Sequence, residues 1–128
     1  MRYLTLEEVL ILHAYQIDKF GGNPNIRDSK LLESALARPH TSLSGNDMFP
    51  AVFDKAAVLA LGIIQNHPFL DGNKRTGVHA MLVFLELNNV SVTFTDKELV
   101  ELGKNIAIKA LNIADVANLL RKSSQHRL

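Results

Sequence analysis

Cysteine is absent from the chain, which excludes disulfides and thiolate chemistry and fits a reducing cytoplasm. An excess of either charge is also missing. Fourteen Lys and Arg residues face 13 Asp and Glu, for a formal net charge of +1. That balance offers no electrostatic case for general nucleic-acid binding or for attraction to an anionic membrane. No apolar run reaches the ~18 residues that a membrane-spanning helix requires. The opening MRYLTLEEVL carries glutamates where a secretion signal needs an unbroken apolar stretch. With 47% hydrophobic and 21% charged residues, the 128-residue chain has the composition of a folded domain with a real core. These features lead us to expect a cytoplasmic protein with a single domain over residues 1–128.

Helical periodicity dominates what is present. Thr5 and Glu8 form a capping-box pattern, after which Leu6, Val9, Leu10, His13, Ile17 and Phe20 share one helical face. Gly21-Gly22-Asn23-Pro24-Asn25 ends that helix. Asp28 is placed to cap a second helix carrying Leu31, Leu32, Ala35 and Leu36, which Pro39 stops. Residues 40–49 read as a mobile connection. Pro50 to about Gln65 is apolar almost all round, which puts that helix at the centre of a bundle. A further helix runs from Asn73 to about Leu87 and ends at Asn88-Asn89. Val90–Phe94 alternates and is β-branched, predicting a short extended segment near 90–95. Thr95 with Glu98 opens a helix to about Ala110. Asn112 caps the last, from Ile113 to about Lys122, ahead of a frayed SSQHRL tail. The fold expected is all-α, a compact bundle of about six helices.

Chemistry concentrates between the two most apolar helices, in Asn66-His67-Pro68-Phe69-Leu70-Asp71-Gly72-Asn73-Lys74-Arg75. The stretch ends at a helix N-terminus, where free N–H groups and the positive end of the helix dipole favour an anion. Asp71-Gly72-Asn73 tolerates the left-handed backbone that lets successive N–H groups converge. Lys74 and Arg75 add cations, and an arginine fork matches phosphate oxygens. Asp71 would repel phosphate unless a hard cation such as Mg²⁺ lay between them. His67 supplies an imidazole able to take a proton from a hydroxyl. Singly, these are a capping histidine, a turn and a solvated helix start; together they describe phosphoryl or nucleotidyl transfer. His79 shares the helical face of Arg75 and is read as an ordinary helix histidine with access to the site. His13 is read as a hydrogen-bonded core residue, whereas His40 and His126 carry no signal.

These residues resemble the Fic/Doc superfamily, whose signature is His-x-Phe-x-Asp/Glu-Gly-Asn-Gly/Lys-Arg. His67, Phe69, Asp71, Gly72, Asn73, Lys74 and Arg75 meet every specified position. YLTLEEVLILH at the start and LLESALARP at Leu31–Pro39 extend the similarity toward the death-on-curing (Doc) toxin branch. The resemblance implies an all-helical Fic fold. It makes His67 the general base acting on a protein hydroxyl, Asp71 the Mg²⁺ ligand, Gly72 and Asn73 the anion-binding turn, and Arg75 the group that steadies the distal phosphates. Phe69 becomes the core anchor of the loop.

Two departures from the AMP-transferring Fic enzymes bear on the reaction. Lys74 stands where those enzymes usually have a second glycine, and Val78 where they have a further arginine. In the Doc branch this lysine goes with a reversed ATP that delivers its γ-phosphate, so the resemblance implies a kinase using ATP and Mg²⁺, with catalytic His67, Lys74 and Arg75. Nucleotide contacts are expected from Gly72, Asn73, Lys74 and Arg75. It further implies a toxin restrained by a Phd-like antitoxin, with elongation factor Tu as target and translation as the process arrested. Ser29–Ser34 only partly matches the inhibitory helix of many Fic enzymes. The alternatives are AMP or other nucleotidyl transfer, and a non-catalytic Fic-fold module that binds an antitoxin. One of the loops at 21–27 and 38–49 is expected to form a flap over the site.

Overall fold

A computed structural model describes residues 1–125, and the fold is mostly α-helical. The helices are α1 (Leu6–Phe20), α2 (Ser29–Ala37), α3 (Val52–Asn66), α4 (Asn73–Leu87), α5 (Asp96–Ala107) and α6 (Ile113–Gln125). Of the expected SSQHRL tail, residues 126–128 lie outside the described residues, whereas Ser123 to Gln125 continue α6.

Local chemistry accounts for most boundaries. Thr5 Oγ1 accepts from Glu8 N while the Glu8 carboxylate accepts from Thr5 N, and Thr95 with Glu98 repeats the device. Asp28 accepts from Lys30 N and Leu31 N to start α2. Asn112 and Asp115 exchange equivalent bonds at the start of α6. Asn89, at a φ of 64°, marks the turn after α4.

Every residue of α3 from Lys55 to Ile64 is buried, and α3 packs against α2, α4, α5 and α6. It is the axis of the bundle, as its all-round apolarity requires. Small residues set the spacing around it. Gly62 faces Ala35 of α2, and Gly77 of α4 lies so close that an added Cβ would stand 2.6 Å from Ile64 Cγ1 and 3.3 Å from Ala60 O. This approach fixes the α3–α4 pair, and with it the turn that joins them.

One expectation needs correction. The connection at 40–49 is ordered: a 3₁₀ turn (Arg38–His40) leads into a hairpin of β1 (Ser42–Leu43) and β2 (Asn46–Asp47). Ser44 and Gly45, at φ 53° and 80°, supply the two left-handed residues of a tight hairpin turn. Lys55 ties the hairpin down, donating to Asp47 Oδ2 at 2.6 Å and Pro39 O at 2.9 Å. His40 stacks on Tyr3 at 3.7 Å between ring centroids. Val90–Phe94, where a short extended segment is expected, joins α4 to α5 as non-helical chain. The backbone of Thr93 is held by a side chain, giving its N–H to Ser123 Oγ and taking that hydroxyl at its carbonyl.

Gly77→Ala tests the α3–α4 contact. Overpacking costs about 1–3 kcal/mol, against a gain of about 1 kcal/mol from replacing a helical glycine by alanine. Thermal unfolding followed by circular dichroism should show a lower Tm, and an unchanged or higher Tm would contradict the contact.

Candidate active site

The site begins where α3 runs out. His67 caps it in the left-handed conformation, at φ 55° and ψ 52°, a conformation costing a non-glycine residue about 1–2 kcal/mol. Segment 23–28 offsets that cost by docking alongside. Ile26 and Phe69 form an antiparallel bridge. Arg27 N and Asp28 N both donate to Pro68 O, at 2.7 and 3.0 Å, and Leu70 N donates to Asn25 O at 3.2 Å. The Arg27 guanidinium donates to the carbonyls of His67 (2.6 Å) and Asn66 (2.9 Å). Of the two candidate flap segments, loop 21–27 contacts the site loop directly. The hairpin within 38–49 is tied to Lys55, roughly 16 Å back along α3 at 1.5 Å per residue.

Phe69 is fully buried and stacks on the His13 ring, with centroids 3.7 Å apart and 6° between planes. His13, itself buried, bonds through Nε2 to Asp71 O at 2.8 Å. It is the hydrogen-bonded core residue expected, and it also holds the loop.

Asn73 completes the frame. Its Oδ1 accepts from Phe69 N at 3.0 Å and its Nδ2 donates to Phe69 O at 2.9 Å. Those two bonds fix the amide, so the second Nδ2 hydrogen is directed at His67 Nδ1, 3.2 Å away. An amide N–H requires an acceptor there, and a neutral His67 ring in this arrangement carries its proton on Nε2. Asn73 was expected in the anion-binding turn; its side chain is committed to the loop and to His67, which leaves its backbone N–H for a ligand.

Gly72, at φ 84°, is the N-cap of α4, and no side chain caps that helix. Around this open N-terminus lies a groove of about 810 Å³ between α1 and α5, floored by α4. His67, Asp71, Gly72, Asn73, Lys74 and Arg75 all line it. One Asp71 oxygen, Oδ2, accepts from Asn23 N at 2.7 Å. The Arg75 guanidinium rests over the Phe20 ring, 4.1 Å from its centroid.

The groove's charge differs from that of the chain. Lys19, Lys74, Arg75, Lys104 and Lys109 line it against Asp71 and Asp96. A nearly neutral sequence thus places five of its 14 Lys and Arg residues along one groove, which no composition figure reveals. His79 also lines the groove, its Nδ1 2.8 Å from Nε2 of the buried Gln16. Burial holds its pKa below the ordinary 6.5, with Lys19 adding to the effect. Arg27, Asn23 and Gln16 gave no periodic or motif signal in the sequence, because each acts across a distance of 39 residues or more.

Among the described residues no group of three His, Asp or Glu is arranged to hold a metal. A single carboxylate beside an open anion site suits a cation that arrives with phosphates supplying further oxygens, the usual habit of Mg²⁺.

Comparison with known proteins is consistent with this geometry. The profile of the Fic/DOC family matches residues 3–85. Toxin Doc of Mycolicibacterium smegmatis is 41% identical over 90 residues, covering 70% of this chain and 67% of that one. Protein kinase doc of Escherichia phage P1 is 30% identical over 122 residues, covering 95% of each.

The Asn73 arrangement predicts an Nε2–H tautomer for neutral His67, readable from two-bond ¹⁵N–¹H correlations of the ring. Asn73→Ala should release that preference. It should also speed hydrogen exchange at the Phe69 amide by about tenfold or more, since a buried bond worth about 1.5 kcal/mol is lost. An Nδ1–H ring in the parent protein, or unchanged exchange in the variant, would refute it.

Proposed function

The chain belongs to the Fic/DOC family, and on that premise we propose that it is a Doc-like toxin that transfers the γ-phosphoryl group of ATP to a hydroxyl of a target protein. The observation that carries this reading is the groove itself, where His67, the Asp71 carboxylate and a ring of cations surround the uncapped N-terminus of α4. Such a surface suits a polyanion with a reacting hydroxyl beside it.

In this reading the backbone N–H groups at the start of α4 bind phosphate oxygens, with Lys74 and Arg75 neutralising them. Arg75 leaves Phe20 to do so. A cation–π contact at an exposed site is worth about 0.5–1 kcal/mol, less than the 1.5–3 kcal/mol or so of a hydrogen bond to a charged group. His67 takes the proton of the incoming hydroxyl, and that oxygen bonds the γ-phosphorus. The bond from phosphorus to the bridging oxygen breaks, and ADP leaves with the electron pair. For Nε2 to accept the proton, the exposed ring first exchanges its tautomer through solvent and gives up the Asn73 contact. Asp71 would hold a Mg²⁺ that arrives with the nucleotide, and that ion would supply charge neutralisation.

Lys74 favours γ-phosphoryl over AMP transfer, by the resemblance and because a lysine at the second helical residue adds charge and bulk where a glycine would admit a phosphate closely. The phage P1 relative, named a protein kinase, aligns over nearly the full chain. A Phd-like antitoxin and elongation factor Tu are the partner and target that this reading implies, both in the cytoplasm. Nucleotidyl transfer is the second reading, since the same open nest would also seat an α-phosphate. A non-catalytic, antitoxin-binding module is the third.

Purified elongation factor Tu, incubated with the chain, ATP and Mg²⁺, should gain one phosphoryl group in intact-mass spectra, and nothing with His67→Ala. Expression of the parent should arrest growth while His67→Ala does not. Gain of an adenylyl group would overturn the γ-phosphoryl reading. An equally toxic His67→Ala would overturn catalysis as the cause.

A further inference from the structure

Arg27 makes an arrangement that none of the site's recognised chemistry requires. Its Nη2 donates to Asn66 O, its Nε to His67 O and its backbone N to Pro68 O, at 2.9, 2.6 and 2.7 Å. One residue thus binds three successive carbonyls, those of the candidate base and its two neighbours. We propose that Arg27 is a positioning residue for His67, setting the ring of the base through its backbone without touching substrate.

Three physical points converge on it. The carbonyls at the end of α3 have no partner within the helix and carry the negative end of its dipole, so a guanidinium there satisfies both needs at once. His67 holds a left-handed backbone, and such a conformation persists only where its surroundings over-determine it. Here the chain turns at His67 and Arg27 grips both sides of the turn. The planar fork is also specific, because its Nε and Nη2 hydrogens reach two neighbouring carbonyls together, whereas a lysine ammonium is a point charge on a flexible stem. Asn73 meets the ring at Nδ1 from the other side. In the resting site the imidazole therefore hangs between Arg27, which fixes its backbone, and Asn73, which fixes its rotation.

This inference rests on His67 being the base and holds for phosphoryl and nucleotidyl transfer alike. A misplacement of about 1 Å costs a reaction up to about 10²-fold. Arg27→Ala and Arg27→Lys should therefore lower kcat by about 10- to 100-fold, with KM for ATP little changed because the α4 N-terminus is untouched. Guanidinium ion should restore part of the Arg27→Ala rate, as it refills the gap between the carbonyls. Arg27→Lys, which keeps the charge and the backbone bond, covers the case in which the alanine variant is unfolded by thermal melt.

Two-dimensional NMR gives a readout that does not depend on which phosphate moves, or on whether any does. The His67 ring signals should shift and broaden in either folded variant while those of His13 stay in place. Parent-like kcat in Arg27→Lys would overturn the proposal. So would His67 signals identical to the parent's, or a rise in KM with kcat unchanged. A parent protein that transfers no phosphate would defeat the functional reading above and leave the NMR comparison to decide this one.

Discussion

The amide of Asn73 closes a ring of two hydrogen bonds with the backbone of Phe69, and the site depends on that closure. Phe69 is fixed because its side chain is buried against His13; Asn73 is fixed because it is the first residue of α4. Together they make the loop between α3 and α4 a rigid insert. On one side of it stands His67, on the other Asp71 and the open end of the helix. A pair of buried backbone groups that would each cost about 1–3 kcal/mol if left unpaired instead holds the geometry. The close packing of Gly77 on Ile64 and Ala60 keeps the two helices at the separation the loop spans.

Segment 23–28 is the second support, and it connects the base to the candidate metal ligand. Asn23 N occupies one oxygen of Asp71, and Arg27 holds the carbonyl of His67. The same short stretch thus touches both ends of the loop. The remaining carboxylate oxygen and the uncapped N–H groups of α4 are the parts left for a ligand. Preorganisation of this kind is what electrostatic catalysis requires, because dipoles already in place need no rearrangement when charge develops.

Much of this was legible in the sequence, and the reasons differ by element. The capping boxes at Thr5 and Thr95 are local exchanges between residues three apart, so spacing alone locates them. α3 announces itself by apolarity almost all round. His67 and Asp71 to Arg75 line one groove, and their grouping is readable because they are contiguous. The hairpin at 42–47 was missed: its strands are two residues each, too short for alternation, and only the Ser44-Gly45 turn marked it. Arg27 and the gathering of Lys19, Lys104 and Lys109 are tertiary facts. Each becomes visible only when distant helices are brought together, and an overall charge of +1 conceals the basic groove entirely.

The account stands on which bond of ATP breaks in that groove. Following the nucleotide by ³¹P NMR, with the full chain, Mg²⁺ and a target-containing extract freed of endogenous nucleotides, answers this directly. Transfer of the γ-phosphoryl group leaves ADP in proportion to labelled protein, without pyrophosphate, and the signal disappears with His67→Ala. Pyrophosphate appearing in step with modified protein would contradict it.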